Sequence, residues 1–155
     1  MKVLKFGGAS VKDADGVRNF AEVIRQIDFT KGIIVISAMG KMTNAFEEIV
    51  KAIKYQPEVT EEKVNFNKAF HLEIIEGLFG NQSAYEGKIT ELYENLLLII
   101  KKKKNDPYDK LYDAIVSQGE IISTVICSLW LTHSGIHHTW LDARKVIRTN
   151  DNYRK

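Results

Sequence analysis

The sequence predicts an α/β fold with a mainly parallel sheet, on three observations. The run KGIIVIS at residues 31–37 is continuously apolar and β-branched, the pattern of a strand covered on both faces. Residues 2–6 and 137–142 also read as short strands. The stretches between them place apolar residues at helical spacing, and alternation of strands with helices is the arrangement of α/β domains. In such sheets ligands bind outside the carboxyl ends of the strands. The polar residues that follow each predicted strand are therefore the first candidates for function: Gly7-Gly8, then Ser37 to Thr43, then Asp142 to Arg144.

The first strand, KVLKF, closes on Gly7-Gly8. A double glycine packs no side chain and costs backbone entropy, which points to something approaching that backbone closely. From Asp13 to Ile27, apolar residues at Val17, Phe20, Ala21, Ile24 and Ile27 mark a helix, with Asp13 or Asp15 placed to cap it. After the second strand, MGKMTN reads as a loop and Asn44 with Glu47 as a capping box. The helix that follows carries Phe46, Ile49, Val50 and Ile53 on one face. Thr60 reads as the cap of a helix bearing Val64, Phe70, Ile74 and Leu78. Another helix runs from Tyr85 to Lys102, with Ile89, Leu92, Tyr93, Leu96 and Ile100, and KKKKNDP at 101–107 stops it. Four lysines suit the negative end of a helix dipole, the alternative being a phosphate contact. Leu111 and Ile115 lead into SQGE at 117–120, which places Glu120 at or near the start of an apolar helix through Leu129. HHTWLD at 137–142 reads as the last strand. Adjacent strand residues point to opposite faces, so His137 and His138 are not expected to share a metal ion.

The chain has 155 residues, the length of one domain, and can bury roughly 68–70% of its unfolded surface. Its 22 basic and 20 acidic residues give a net charge of +2, without the basic excess of a nucleic-acid binder. Cys127 is the only cysteine, so no intrachain disulfide forms; it reads as a small buried hydrophobe in a protein of a reducing compartment. MKVLKF is too short for a signal peptide, and no apolar run reaches the roughly 18 residues of a membrane span. The expectation is a cytoplasmic protein with neither a membrane nor a nucleic-acid partner.

Three polar constellations stand out. In KFGGAS, the glycines can bring backbone N–H groups against an anion with Lys5 beside it; the alternative is a tight turn. In ISAMGKMTN, Ser37 and Thr43 bracket a loop that opens a helix, suited to a carboxylate or phosphate, or Thr43 and Asn44 merely cap. In SQGE, Glu120 either favours the helix dipole or, with Gly119 clearing space, meets a ligand ammonium. An amino acid together with a phosphate donor satisfies all three.

KFGGAS, VISAMGKMTN, SQGE and WLDARKVIRTND, in that order, resemble the aspartokinases of the amino-acid kinase superfamily, from Met1 to about Asp151. The resemblance implies a three-layer αβα sandwich and transfer of the γ-phosphoryl of ATP to the side-chain carboxylate of L-aspartate, the step that opens lysine, threonine and methionine synthesis. It implies that Lys5 stabilises the moving phosphoryl group and that Gly7 and Gly8 present backbone amides to it. Ser37 and Thr43 match positions that help hold aspartate, and Glu120 matches the acid of S-x-G-E that contacts the substrate. ATP and Mg2+ would be held largely by residues outside this chain. Ala9 stands where the family often has threonine, and Met39 and Lys41 occupy a loop that is often smaller. The nucleotide-binding half and regulatory ACT domains are absent, so residues 1–155 read as an N-terminal portion, inactive by itself and inclined to form a homo-oligomer through an unpaired strand edge. Two other readings are a non-catalytic module for amino-acid binding or assembly, and a kinase for another amino acid.

Overall fold

The computed structural model describes residues 2–27, 31–80, 83–150 and 152–153; Asp151, at the end of the fourth motif, lies outside them. Strand β1 (Lys2–Phe6) pairs in parallel with β2 (Gly32–Ile36), Lys2 opposite Gly32 and Phe6 opposite Ile36. Between them in the chain lie a short 3-10 turn (Gly8–Val11) and helix α1 (Ala14–Gln26). Four helices follow: α2 (Met42–Tyr55), α3 (Thr60–Phe79), α4 (Ser83–Lys103) and α5 (Tyr108–His133).

Asp13 caps α1 as predicted: its carboxylate accepts the Gly16 N–H at 2.8 Å, a contact of about 1 kcal/mol. The helix buries Val17, Phe20, Ala21 and Ile24, and Phe20 meets Phe6 of β1 edge-on, ring centroids 4.8 Å apart. Strand alternation turns Phe6, Ile34 and Ile36 toward the core and leaves Val3, Ile33 and Val35 exposed on the other face. Lys5, exposed, stands opposite Val35 on that outer face. Helix α5 runs through the centre of the core and touches α1, α2, α3, α4 and β2. It is long and apolar enough to cross a bilayer, which counting unbroken apolar runs does not reveal, but 56% of its apolar window is buried within the protein.

Five local expectations are corrected. Residues 137–142 form no strand; they run beside α5, with Ser128 Oγ 2.7 Å from His138 Nε2 and Trp140 Nε1 donating to Thr124 Oγ1 at 3.1 Å. Helix α2 begins at Met42, three residues early, so Asn44 and Glu47 make no capping box; Lys41 occupies the N-cap without a side-chain bond. Thr60 lies inside the first turn of α3, its hydroxyl buried and unpartnered among the described residues. SQGE does not open a helix: α5 passes through it unbroken, because Gly119 lies buried in a close packing contact and terminates nothing. The both-faces-covered reading of β2 also fails among the described residues, since Ile33 and Val35 are about half exposed.

Candidate functional site

The two loops that leave the carboxyl ends of β1 and β2 touch each other. Ser37 N–H donates to the Phe6 carbonyl at 3.1 Å, and Gly40 N–H donates to the Gly8 carbonyl at 3.0 Å. A Cβ on Gly8 would stand 2.5 Å from the Ala38 carbonyl oxygen and 2.9 Å from that of Gly40, closer than side-chain carbons come. The close approach that Gly8 permits is therefore made by the protein's own second loop. Gly7 is different: the nearest atom to a Cβ there is Lys5 Nζ, at 3.6 Å. The Lys5 ammonium thus hangs over the Gly7 backbone at the strand end. No hydrogen bond or ion pair engages it among the described residues.

The second loop turns at Gly40 with φ of +52°, left-handed backbone that suits glycine. Thr43 follows in the first turn of α2, exposed, where helix N–H groups lack intrahelical partners. From the core side, α5 meets the same loop. A Cβ on Gly119 would lie 3.2 Å from the Phe46 ring and 3.3 Å from the Ala38 Cβ, so the space expected for a ligand beside Glu120 is filled by protein at Gly119 itself. One turn on, Ser123 Oγ donates to the Ser37 carbonyl at 2.7 Å. Glu120 lies between these two contacts, half-buried, its carboxylate unpaired among the described residues. Standing in the body of α5, it has no free helix N-terminus to complement, which removes the helix-start explanation of its charge.

The structure thus sets Gly8 against Ala38 and Gly40 of the second loop, and the 119–123 turn against Ser37 and Ala38 of the same loop, with Lys5 and Gly7 at the first strand's end and Thr43 a few residues along the second loop. Lys5 rises from the outer face of the sheet and Glu120 from the helix on its inner face; nothing described links them. Ser123 escaped the sequence reading, although a hydroxyl inside the run GEIISTVI was a visible signal. One cleft opens around Tyr55 and Tyr108, and another, lined by Ser117 and Gln118 of SQGE together with Arg144, lies beside the 119–123 turn.

Two further polar groups support the surroundings. Asp142, buried, accepts from Arg144 through Nε at 2.9 Å and Nη2 at 2.6 Å; the guanidinium holds its carboxyl below the usual carboxylate range, against the opposing effect of burial. His71, fully buried between α2 and α4, has Nδ1 2.8 Å from the Tyr93 hydroxyl and 2.9 Å from the Asn67 carbonyl. Burial pushes its imidazole down to about 4 and the Cys127 thiol up to about 12, so Cys127 is the inert core residue expected.

The chain matches the amino acid kinase family over residues 1–155. It is 29% identical over 151 residues to the lysine-sensitive aspartokinase 3 of Escherichia coli (strain K12), covering 97% of this chain and 33% of that protein. The crystal structure of E. coli aspartokinase III with lysine and aspartate superposes with a TM-score of 0.84 at 28% identity, across 97% of this chain and 33% of that one. The same enzyme with aspartate and ADP gives 0.81, at the same identity and coverage. The chain spans about a third of the length of these relatives. The full-length match and this shared fold, with its paired strand-end loops, make the chain a member of the amino acid kinase family.

Proposed function

We propose that this chain is the amino-acid-binding and phosphoryl-contacting part of an aspartokinase, which transfers the γ-phosphoryl of ATP to the β-carboxylate of L-aspartate. One observation carries the reading: segments 5–8, 37–43 and 119–123, far apart in sequence, converge beyond the carboxyl ends of two parallel strands. Similarity to an E. coli enzyme crystallised with aspartate and ADP supports it.

In this reading Ser37 and Thr43 offer hydroxyls to the substrate carboxylates and Glu120 meets the ammonium. Lys5, unpaired and folded over Gly7, contacts the γ-phosphoryl together with the Gly7 and Gly8 amides. A carboxylate oxygen of aspartate forms the new bond to phosphorus while the bond to the β–γ bridging oxygen breaks and ADP leaves. That carboxylate is already ionised near neutral pH, so positioning and charge neutralisation suffice and no general base is needed. Mg2+ at phosphoryl-transfer sites takes one or two carboxylates together with the nucleotide phosphates, and in this reading its ligands come largely from the nucleotide half. The further strands and helices of a nucleotide half would extend the sheet and complete the three-layer sandwich, in a cytoplasmic enzyme.

Replacing Lys5 tests the assignment. In a protein that joins this chain to its nucleotide half, Lys5→Ala should lower kcat for aspartyl phosphate formation by about 10²–10³, the usual cost of one preorganised contact to transition-state charge. A coupled ADP-release assay returning kcat within a factor of about three of the parent would sink the role of Lys5.

A further inference from the structure

We propose that Ser123 is a positioning residue, which with Gly119 clamps α5 to the second loop and so fixes where Ser37 stands relative to Glu120; this rests on the aspartate reading of the site. Ser123 is fully buried, flanked in the helix by the buried Ile122 and Ile126. A helical serine commonly turns its hydroxyl back to the carbonyl of its own preceding turn. Ser123 instead reaches across 86 residues of sequence to the Ser37 carbonyl at 2.7 Å. One turn earlier, a Cβ on Gly119 would stand 3.2 Å from the Phe46 ring and 3.3 Å from the Ala38 Cβ, tighter than most side-chain contacts.

Residues four apart lie on one face of a helix, so α5 is pinned to Ser37 and Ala38 at two points on one line. Glu120 borders that line and makes no contact of its own among the described residues that would hold it there. Its separation from Ser37 is therefore set by its two neighbours in the helix. A ligand that carries an ammonium and a carboxylate on one carbon tolerates little error in that separation, and displacements near 1 Å at a reacting centre can cost about 10²-fold. Without the Ser123 hydroxyl, the Ser37 carbonyl loses its side-chain donor from α5, and the loop is held on that side by the Gly119 packing alone, with its main-chain bonds to Phe6 and Gly8 unchanged.

Calorimetric titration of the 155-residue chain with L-aspartate, with D-aspartate as control, tests the clamp. Ser123→Ala should weaken L-aspartate binding about tenfold, the scale of one hydrogen bond. Ser123→Cys fills the same space with a much weaker donor and should be weakened similarly. Both variants should keep thermal midpoints within a few degrees of the parent, and amide exchange at Ala38 to Gly40 should quicken while α5 stays protected. Unchanged affinity in Ser123→Ala overturns the proposal. Full affinity in Ser123→Cys overturns it too, since packing would then suffice. If the parent chain ignores L-aspartate, the substrate reading of this chain fails instead. The clamp is then decided by exchange: faster opening at 38–40 in Ser123→Ala supports it, and an unchanged rate overturns it.

Discussion

Glu120 sits in mid-helix with a carboxylate that no described side chain answers, so its charge is available to a ligand. Glu120→Gln keeps the shape and removes the charge. It should raise the aspartate KM about tenfold or more in the joined enzyme while sparing the ATP KM, the signature of lost uniform binding. An unchanged aspartate KM with a collapsed melting temperature would make Glu120 a structural acid. His71 bears on stability rather than chemistry. Its folded pKa, about 4, lies below the unfolded value of 6.5, so the unfolded chain binds the proton more readily. The stabilisation due to its neutral burial is full above pH 6.5 and is lost as pH falls toward 4, about 3 kcal/mol in all. His71→Gln should flatten the acid limb of a denaturation series run across pH 4–7. The sequence marked Lys5, Gly8 and Asp13 because charge and backbone freedom at a strand or helix end have few other uses. It was silent on His71, since a histidine in an amphipathic helix reads the same buried or exposed.

At the scale of elements, the contact between the two strand-end loops is the most exacting feature. Gly8→Ala forces a Cβ to within 3 Å of two carbonyl oxygens of the second loop. It should destabilise the protein by about 1–3 kcal/mol in urea unfolding, whereas Gly7→Ala, whose nearest neighbour is the mobile end of Lys5, should cost less. Equal costs would contradict the packing described. Helices α1 to α4 were legible from apolar spacing, because each buries one face. The boundaries of α2 and the unbroken course of α5 were not. Gly119 read as clearing space for a ligand beside Glu120, when its lack of a side chain serves packing against Phe46 and Ala38. HHTWLD has the composition of a strand, but side-chain bonds to Ser128 and Thr124 lay it along α5 instead. Propensity alone cannot choose between a sheet neighbour and a helix neighbour.

For the whole molecule, the outer face of the two-stranded sheet matters most. Val3, Ile33 and Val35 are 47–59% exposed there, and Leu141, Val146 and Ile147 add apolar surface nearer the C-terminal end of the chain. Apolar surface of this extent beside open strand edges recruits further polypeptide. Purified alone, the 155-residue chain should fold, self-associate in light scattering at micromolar concentration, and release no ADP above background with aspartate and ATP. A monodisperse monomer, or measurable turnover, would contradict this. The parallel pairing of β1 and β2 was legible, but the described residues are mostly helical around that two-stranded sheet and show no three-layer sandwich; strand number depends on partners, and a strand's own residues encode only that it is a strand. The loop junction beneath the site has a different kind of consequence. Phe6 with Ser37, and Gly8 with Gly40, are joined through main-chain atoms alone. Substitutions at the exposed Ala9 or Lys41 can alter the charge and size of the surface beside the junction without touching those bonds, whereas Met39 is buried in the core. The path of the chain through the junction therefore does not depend on which side chains the loops display, so the surface there can change by point substitution without the scaffold being rebuilt.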